Sequence, residues 1–275
     1  MNLIDLLCES YIEDNEARGK KEPSGNYHPS AVSDCKRKQV YRRLGVGASD
    51  PISPMALMKM DHGTLMHENY QNRLRQKLKE KGCTDIQVEK EIWYNFGDHK
   101  IHGYMDLAWK EGNKWIGAEI KTGYGRGISM MKDKPKQDHL EQTMIYIGAS
   151  DVKFSEFHLY YFARDNGYPK SFTLDIRNID GLDTWCCGGV PLDFDFADLV
   201  NRFYHIAEYV KKKEIPDRPY LAAIKNGQIV PQFQKDKKMY KTKWNCNYCS
   251  YQDYCWKDVV EKYKDGDNSE MFNED

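Results

Sequence analysis

Nowhere in this chain do apolar residues run on for the roughly 18 positions that a membrane-crossing helix needs. Of its 275 residues, 40% are hydrophobic and 30% charged, and the mean hydropathy is −0.80, which excludes a chain built on membrane helices. The opening MNLIDLLCESYIEDNEARGK lacks the basic flank and long apolar stretch of a secretory signal, so the expected location is the cytoplasm. Internal repeats are missing, and so is a GxxxxGK[ST] phosphate loop; neither a solenoid nor a fused NTP-driven motor is expected. A dominant charge is also missing. With 41 Lys and Arg against 42 Asp and Glu, net charge argues neither for nor against a polyanionic partner.

The charge is nevertheless unevenly spread. Residues 208–243 carry ten Lys or Arg against four acids, and residues 265–275 carry five acids and no base. A basic region balanced by an acidic tail suits a nucleic-acid surface, while ordinary solvated lysines would look the same. Helical spacing of Gly63, His67, Tyr70, Gln71, Leu74 and Leu78 predicts a helix over 56–81, stopped by Gly82. Strands are expected over 86–96, 100–109, 114–122 and 154–163, with helices over 137–149 and 194–213. Residues 1–30 read as irregular, 165–193 as a looped insertion, 217–243 as a second insertion, and 264–275 as a disordered acidic tail. This order of elements predicts one α/β domain over 31–263 with a mixed sheet.

The segment IHGYMDLAWKEGNKWIGAEIKTG holds the densest chemistry. With Gly112–Asn113 as a two-residue hairpin loop, Asp106 falls opposite Glu119, and Glu119 and Lys121 share a face. Two carboxylates facing each other across a sheet repel, whereas a hard divalent cation such as Mg²⁺ or Mn²⁺ between them reverses the sign. A lysine two residues on is placed to orient or deprotonate an attacking water and to steady charge on a phosphate. Exposed carboxylates bridged by Lys121 are the plainer alternative. His67 on the preceding helix and the pair Gln142 and Tyr146, four apart on one helix face, are further candidates; each alone also suits a core position.

Taken in order, GxxxH (Gly63–His67), GYMD (Asp106), EIK (Glu119–Lys121) and QxxxY (Gln142–Tyr146) resemble the RecB/Cas4-type branch of the PD-(D/E)xK nucleases. The resemblance implies an α/β nuclease core, a central mixed β-sheet flanked by helices. It implies metal binding, Mn²⁺ or Mg²⁺, by His67, Asp106, Glu119 and Ile120. Lys121 would assist the attacking water, and Gln142 and Tyr146 would contact the site or the DNA. The implied activity is a metal-dependent exonuclease on single-stranded or frayed DNA ends. A non-catalytic end-binding subunit of a recombination or CRISPR-adaptation complex is the alternative. Any unwinding would come from a helicase partner. The setting is a bacterial or archaeal cell, or a phage-infected host.

Eight cysteines in a cytoplasmic chain point to metal or redox chemistry before disulfides. Cys8, Cys83, Cys186 and Cys187 have no ligand spacing to a neighbour. Cys246, Cys249 and Cys255 form CxxCx5C, and Cys35 stands in SDCKRKQVYRRLG. One distant cysteine plus CxxCx5C resembles the [4Fe–4S] site of Cas4-type and AddB-type nucleases, where four thiolates join the amino- and carboxy-terminal segments. Structural zinc is the rival reading. The basic run beside Cys35 and the aromatics Trp244, Tyr248, Tyr251, Tyr254 and Trp256 offer either stacking surfaces for unpaired bases or packing around the cluster.

Overall fold

In the computed structural model, which describes residues 2–19, 25–219, 222–225, 228–231, 246 and 249–264, the centre is a seven-stranded sheet in sequential order. Its strands are β1 (Thr84–Phe96), β2 (His99–Glu111), β3 (Lys114–Gly123), β4 (Phe154–Ala163), β5 (Pro169–Ile179), β6 (Leu182–Cys187) and β7 (Val190–Pro191). Only β3 and β4 run parallel. Their crossover carries helix α5 (Gln137–Ala149), as a parallel connection requires. The fold is therefore α/β with a mixed sheet.

The other helices are α1 (Leu3–Gly19), α2 (Lys36–Arg43), α3 (Pro54–Glu80), α4 (Gly125–Ser129), α6 (Phe196–Lys212) and α7 (Gln252–Lys264). None among the described residues is long and apolar enough to cross a membrane. Two compact units result, Met1–Ser33 with Pro54–Tyr204, and Asp34–Ser53 with His205–Asp275. The second contains the short antiparallel pair β8 (Ala222–Lys225) and β9 (Gln228–Pro231).

Alternation sets the sheet. Along β4, Phe157, Leu159, Tyr161 and Ala163 are buried while their neighbours are half-exposed, the period-2 pattern of a strand packed on one face. Tyr70, Leu74 and Leu78 of α3 cover the apolar cluster of Leu107, Trp109, Ile116, Ala118 and Ile120. Gly82, at φ +80°, ends that helix. Its N–H donates to the Lys79 carbonyl and that of Cys83 to Leu78, both at 3.0 Å, which is the left-handed glycine cap.

Two expectations need correction. The segment 1–30 is not irregular throughout, since Leu3–Gly19 is helical. Cys8, Tyr11 and Asn15 are its half-buried positions, and the Tyr11 hydroxyl donates to Asp61 of α3 at 2.9 Å. Its aliphatic residues Leu3, Ile4, Leu6 and Leu7 are exposed, so no one-sided apolar stripe marked it. Residues 165–193 do not loop but supply β5–β7. The turns are Asp180–Gly181, at φ +51° and +86°, and Gly188–Gly189, at φ +58° and +80°. Both are two-residue connections between paired strands, and the Asp-Gly dipeptide is a strong hairpin signal in its own right. Most of the 217–243 insertion and the whole of 265–275 lie outside the described residues.

Candidate active site

Turn geometry builds the site. Glu111 pairs with Lys114, and the register continues through Trp109↔Ile116 to Leu107↔Ala118, as a Gly112–Asn113 turn dictates. Gly112 supplies the left-handed residue at φ +59°. One step further would pair Asp106 with Glu119, and there the ladder stops. The Asp106 Oδ2 takes the Ile120 N–H itself, at 2.5 Å. A side-chain carboxylate thus replaces a backbone acceptor at the point where β2 leaves β3.

Both carboxylates are buried. Glu119 Oε1 accepts from Lys121 Nζ at 2.8 Å and from Gln142 Nε2 at 2.9 Å. Gln142 Oε1 in turn accepts from Lys121 at 2.7 Å, and its Nε2 donates to the Tyr146 hydroxyl at 2.8 Å. Glu119 Oε2 is buried with no hydrogen-bond partner among the described residues. Burial first, then the Asp106 charge, push the Glu119 carboxyl up to about 7. Burial also drives the Tyr146 hydroxyl well above its usual range.

α3 closes the other side. Gly63 lets it approach, since a Cβ there would stand 3.3 Å from the Thr122 Oγ1 of β3. One turn on, His67 Nδ1 lies 3.6 Å from Asp106 Oδ1. Burial opposes a charge on that ring, and the hydrogen bond and charge of Asp106 outweigh it, so His67 titrates above its ordinary value. Ile120 meets Asp106 through its amide, a donor; only its carbonyl is of a kind to bind a cation.

Two residues escaped the sequence argument. Gln71, noted only as part of the α3 stripe, donates from Nε2 both to Asp106 Oδ1 at 3.0 Å and to Glu89 Oε1 at 2.5 Å. Glu89 falls opposite Asp106 in the β1–β2 register, giving a third carboxylate in the row. Its φ is +50°, a left-handed conformation that costs a non-glycine residue about 1–3 kcal/mol. The strain changes which side the strand shows. Val88 and Leu107 belong to the cluster under α3, whereas the buried Lys90 ion-pairs with Asp151, just past α5, at 2.6 Å. No local sequence signal marks such a break; an acid inside an otherwise regular strand was the only hint.

As the side chains stand, no three His, Cys, Asp or Glu among the described residues are grouped as a finished metal site. Asp106 is held by Gln71, His67 and Ile120, and Glu119 by Lys121 and Gln142. The donor set nevertheless fits a divalent cation. Carboxylate oxygens are its preferred ligands, and the orphaned Glu119 Oε2 is a buried acceptor without a donor.

Cys246, Cys249 and Cys255, picked out by spacing, and Cys35, added by the resemblance, all fall in the second unit, and all are free thiols. Cys35 precedes α2, whose first amides favour its thiolate, although burial wins and raises it. Cys246 is pushed up to about 12 by burial first and then by Cys35, Cys249 and Cys255. Cys249 is likewise raised, by burial and by Cys35 and Cys255. The four thiols thus feel one another's charge, although no three of them are grouped as a finished metal site among the described residues. Of the aromatics, Tyr251 and Trp256 are buried. Tyr251 and Tyr254 pack on Tyr41 at 5.6 and 5.0 Å, and Arg218 lies over Trp256 at 5.0 Å. Trp244, Tyr248, Lys241 and Lys243 lie outside the described residues.

No protein-family model matches this chain, and no curated protein does. Among solved structures, it is similar to the crystal structure of SSO0001, with TM-score 0.46 and 19% identity over 90% of this chain and 93% of that one. It is also similar to LHK-Exo, an alkaline exonuclease from Laribacter hongkongensis, with TM-score 0.46 and 13% identity over 69% of this chain and 89% of that one.

Proposed function

We propose that this chain is a divalent-metal-dependent deoxyribonuclease, acting as an exonuclease on single-stranded or frayed DNA ends. The observation that carries the reading is the buried Asp106–Glu119–Lys121 arrangement, with one oxygen of Glu119 left without a partner. Asp106 and Glu119 would hold the ion, with His67 and the Ile120 carbonyl as further ligands. When bound, Mg²⁺ or Mn²⁺ would supply a Lewis acid at the scissile phosphate and lower the pKa of water.

The protein groups do the positioning. Glu119 and Gln142 anchor the Lys121 ammonium, leaving its third N–H bond to orient a water or a phosphate oxygen. Tyr146 fixes Gln142. Gln71 fixes Asp106 and Glu89 together. The four thiols of the second unit would hold a [4Fe–4S] cluster, which stabilises that unit rather than taking part in hydrolysis, since hydrolysis moves no electrons. The sequence has no motor motif, so unwinding belongs to a partner such as a helicase, and the cytoplasm is the setting.

End-labelled single-stranded oligonucleotides with Mg²⁺, Mn²⁺ or EDTA test the reading. Stepwise shortening from one end with metal, and none with EDTA, is the expected pattern. Binding without cleavage under any divalent metal would replace the nuclease by an end-binding subunit.

A further inference from the structure

The β1–β2 hairpin carries a second organised feature beyond Glu89 and Asp106. Two aromatic side chains aim their polar edges at one carboxylate, and a third stacks on one of them. Glu91 Oε1 accepts from His102 Nε2 at 3.0 Å and from the Tyr104 hydroxyl at 3.3 Å. With Trp93 as a further donor after His102, this holds the Glu91 carboxyl below its usual range. Trp93 lies flat on His102, with ring centroids 3.7 Å apart and planes within 14°. Tyr104 meets His102 edge-on at 5.1 Å. Although fixed in this way, Trp93 is 48% and Tyr104 49% exposed.

Their place along the strands gives them meaning. Glu91↔Tyr104 and Trp93↔His102 are the alternate pairs that follow Glu89 opposite Asp106. The Glu89 charge reaches the Tyr104 hydroxyl, and positions two apart on a strand are about 6.6 Å apart, so the aromatics step away from Glu89 by roughly one and two nucleotides of an unstacked strand. We propose, on the nuclease reading of the site, that Tyr104 and the Trp93–His102 stack form a platform for unpaired bases of the strand whose phosphate lies at Asp106 and Glu119.

A stacked aromatic accepts any base by its π-face. In a duplex those faces are covered by neighbouring bases, so the platform selects single strands. Glu91 does two things there. It fixes the ring edges, and its charge turns phosphates away, so that bases rather than backbone approach the rings.

The test measures affinity and cleavage together. Labelled 20-mers, intact or with one abasic site moved stepwise along the strand, are bound in Ca²⁺ and digested in Mn²⁺. The proteins are wild type, Trp93→Ala, Tyr104→Ala and the ring-keeping Trp93→Phe and Tyr104→Phe. Each Ala variant is expected to raise Kd and KM about tenfold on intact strands, with kcat little changed. It should also lose the penalty that wild type shows for an abasic site at one or two positions. The Phe variants should keep most of the affinity, and they carry the test should the Ala variants misfold. Unchanged Kd, KM and abasic profiles in Phe and Ala variants of an active enzyme overturn the platform and leave the nuclease standing. A wild type that never cleaves overturns the nuclease, while the binding arm still decides the platform.

Discussion

Asp106 and Glu119 sit on neighbouring strands of one hairpin, whereas Cys35 and Cys246 are separated by some two hundred residues of chain. Both sets crowd groups that repel when charged, but they are assembled at different cost. The hairpin closes through two residues, and its carboxylates find neutral and cationic donors in Gln71, His67, Lys121 and Gln142. Bringing the thiols together closes a long loop, which costs more chain entropy, and burial with mutual repulsion raises Cys246 and Cys249. The first cluster is thus held together by protein donors alone. On the proposed reading, the second would draw part of its stability from bound metal.

The largest expected effect breaks the first member of the pair. Asp106→Ala, Glu119→Ala and Lys121→Ala should each lower the cleavage rate by about a thousandfold, with melting midpoints close to wild type. Because they act on one step, double variants should be little worse than single ones. Near-normal turnover in Lys121→Ala, measured on end-labelled strands, would remove its role at the water.

The opposite signature is expected for the second set. Protein purified without air should be brown. Ser in place of Cys35, Cys246, Cys249 or Cys255 should bleach it and lower the melting midpoint by about 5 °C or more. The same change at Cys8, Cys83, Cys186 or Cys187 should keep the colour. A colourless protein with one equivalent of zinc would exchange the cluster for a zinc site and leave the hairpin argument intact.

A pH series sharpens the contrast further. Glu119 binds its proton more tightly folded than unfolded, its pKa rising from the ordinary 4.5 to about 7. Folding therefore loses stability as pH climbs from about 4.5 to 7 and stays penalised above that. His67, raised by Asp106 against the effect of burial, loses its contribution in the same direction. The midpoint in EDTA should fall across this window, and Mn²⁺ or Glu119→Gln should flatten the fall. A midpoint in EDTA that rises from pH 5 to 7 would contradict the raised pKa of the buried Glu119 carboxylate.

The smallest effect on stability is expected at Glu89. Glycine accepts its φ of +50° without strain, a relief of about 1 kcal/mol that offsets the entropy of a glycine in a strand. Glu89→Gly should hold or raise the melting midpoint while cutting cleavage. Full activity in that variant would limit Glu89 to shaping the strand.

Local rules made much of this legible. The two-residue turn fixed the register that brings Asp106 to Glu119, helical spacing set His67 beside the sheet, and the i, i+4 rule put Gln142 over Tyr146. Each depends on residues close in sequence. The β5–β7 edge was equally local, since Asp180–Gly181 and Gly188–Gly189 are turn dipeptides, and it was hidden by reading glycines as loop. Helix α1 was not legible, because exposed aliphatic residues carry no directional stripe.

What the amino-acid order determined by itself was the set of candidate ligands and the periodicity that aligns them. Only the folded chain decided the rest. It set Glu89 in a left-handed conformation opposite Asp106, made Gln71 the donor shared by two carboxylates, and ended the β2–β3 ladder where Asp106 captures the Ile120 amide. It also left one oxygen of Glu119 buried and unpaired among the described residues. The physical reason is that burial and unsatisfied hydrogen bonding belong to the packed environment, in which α3, α5 and three strands meet, and no short window of sequence contains all of them.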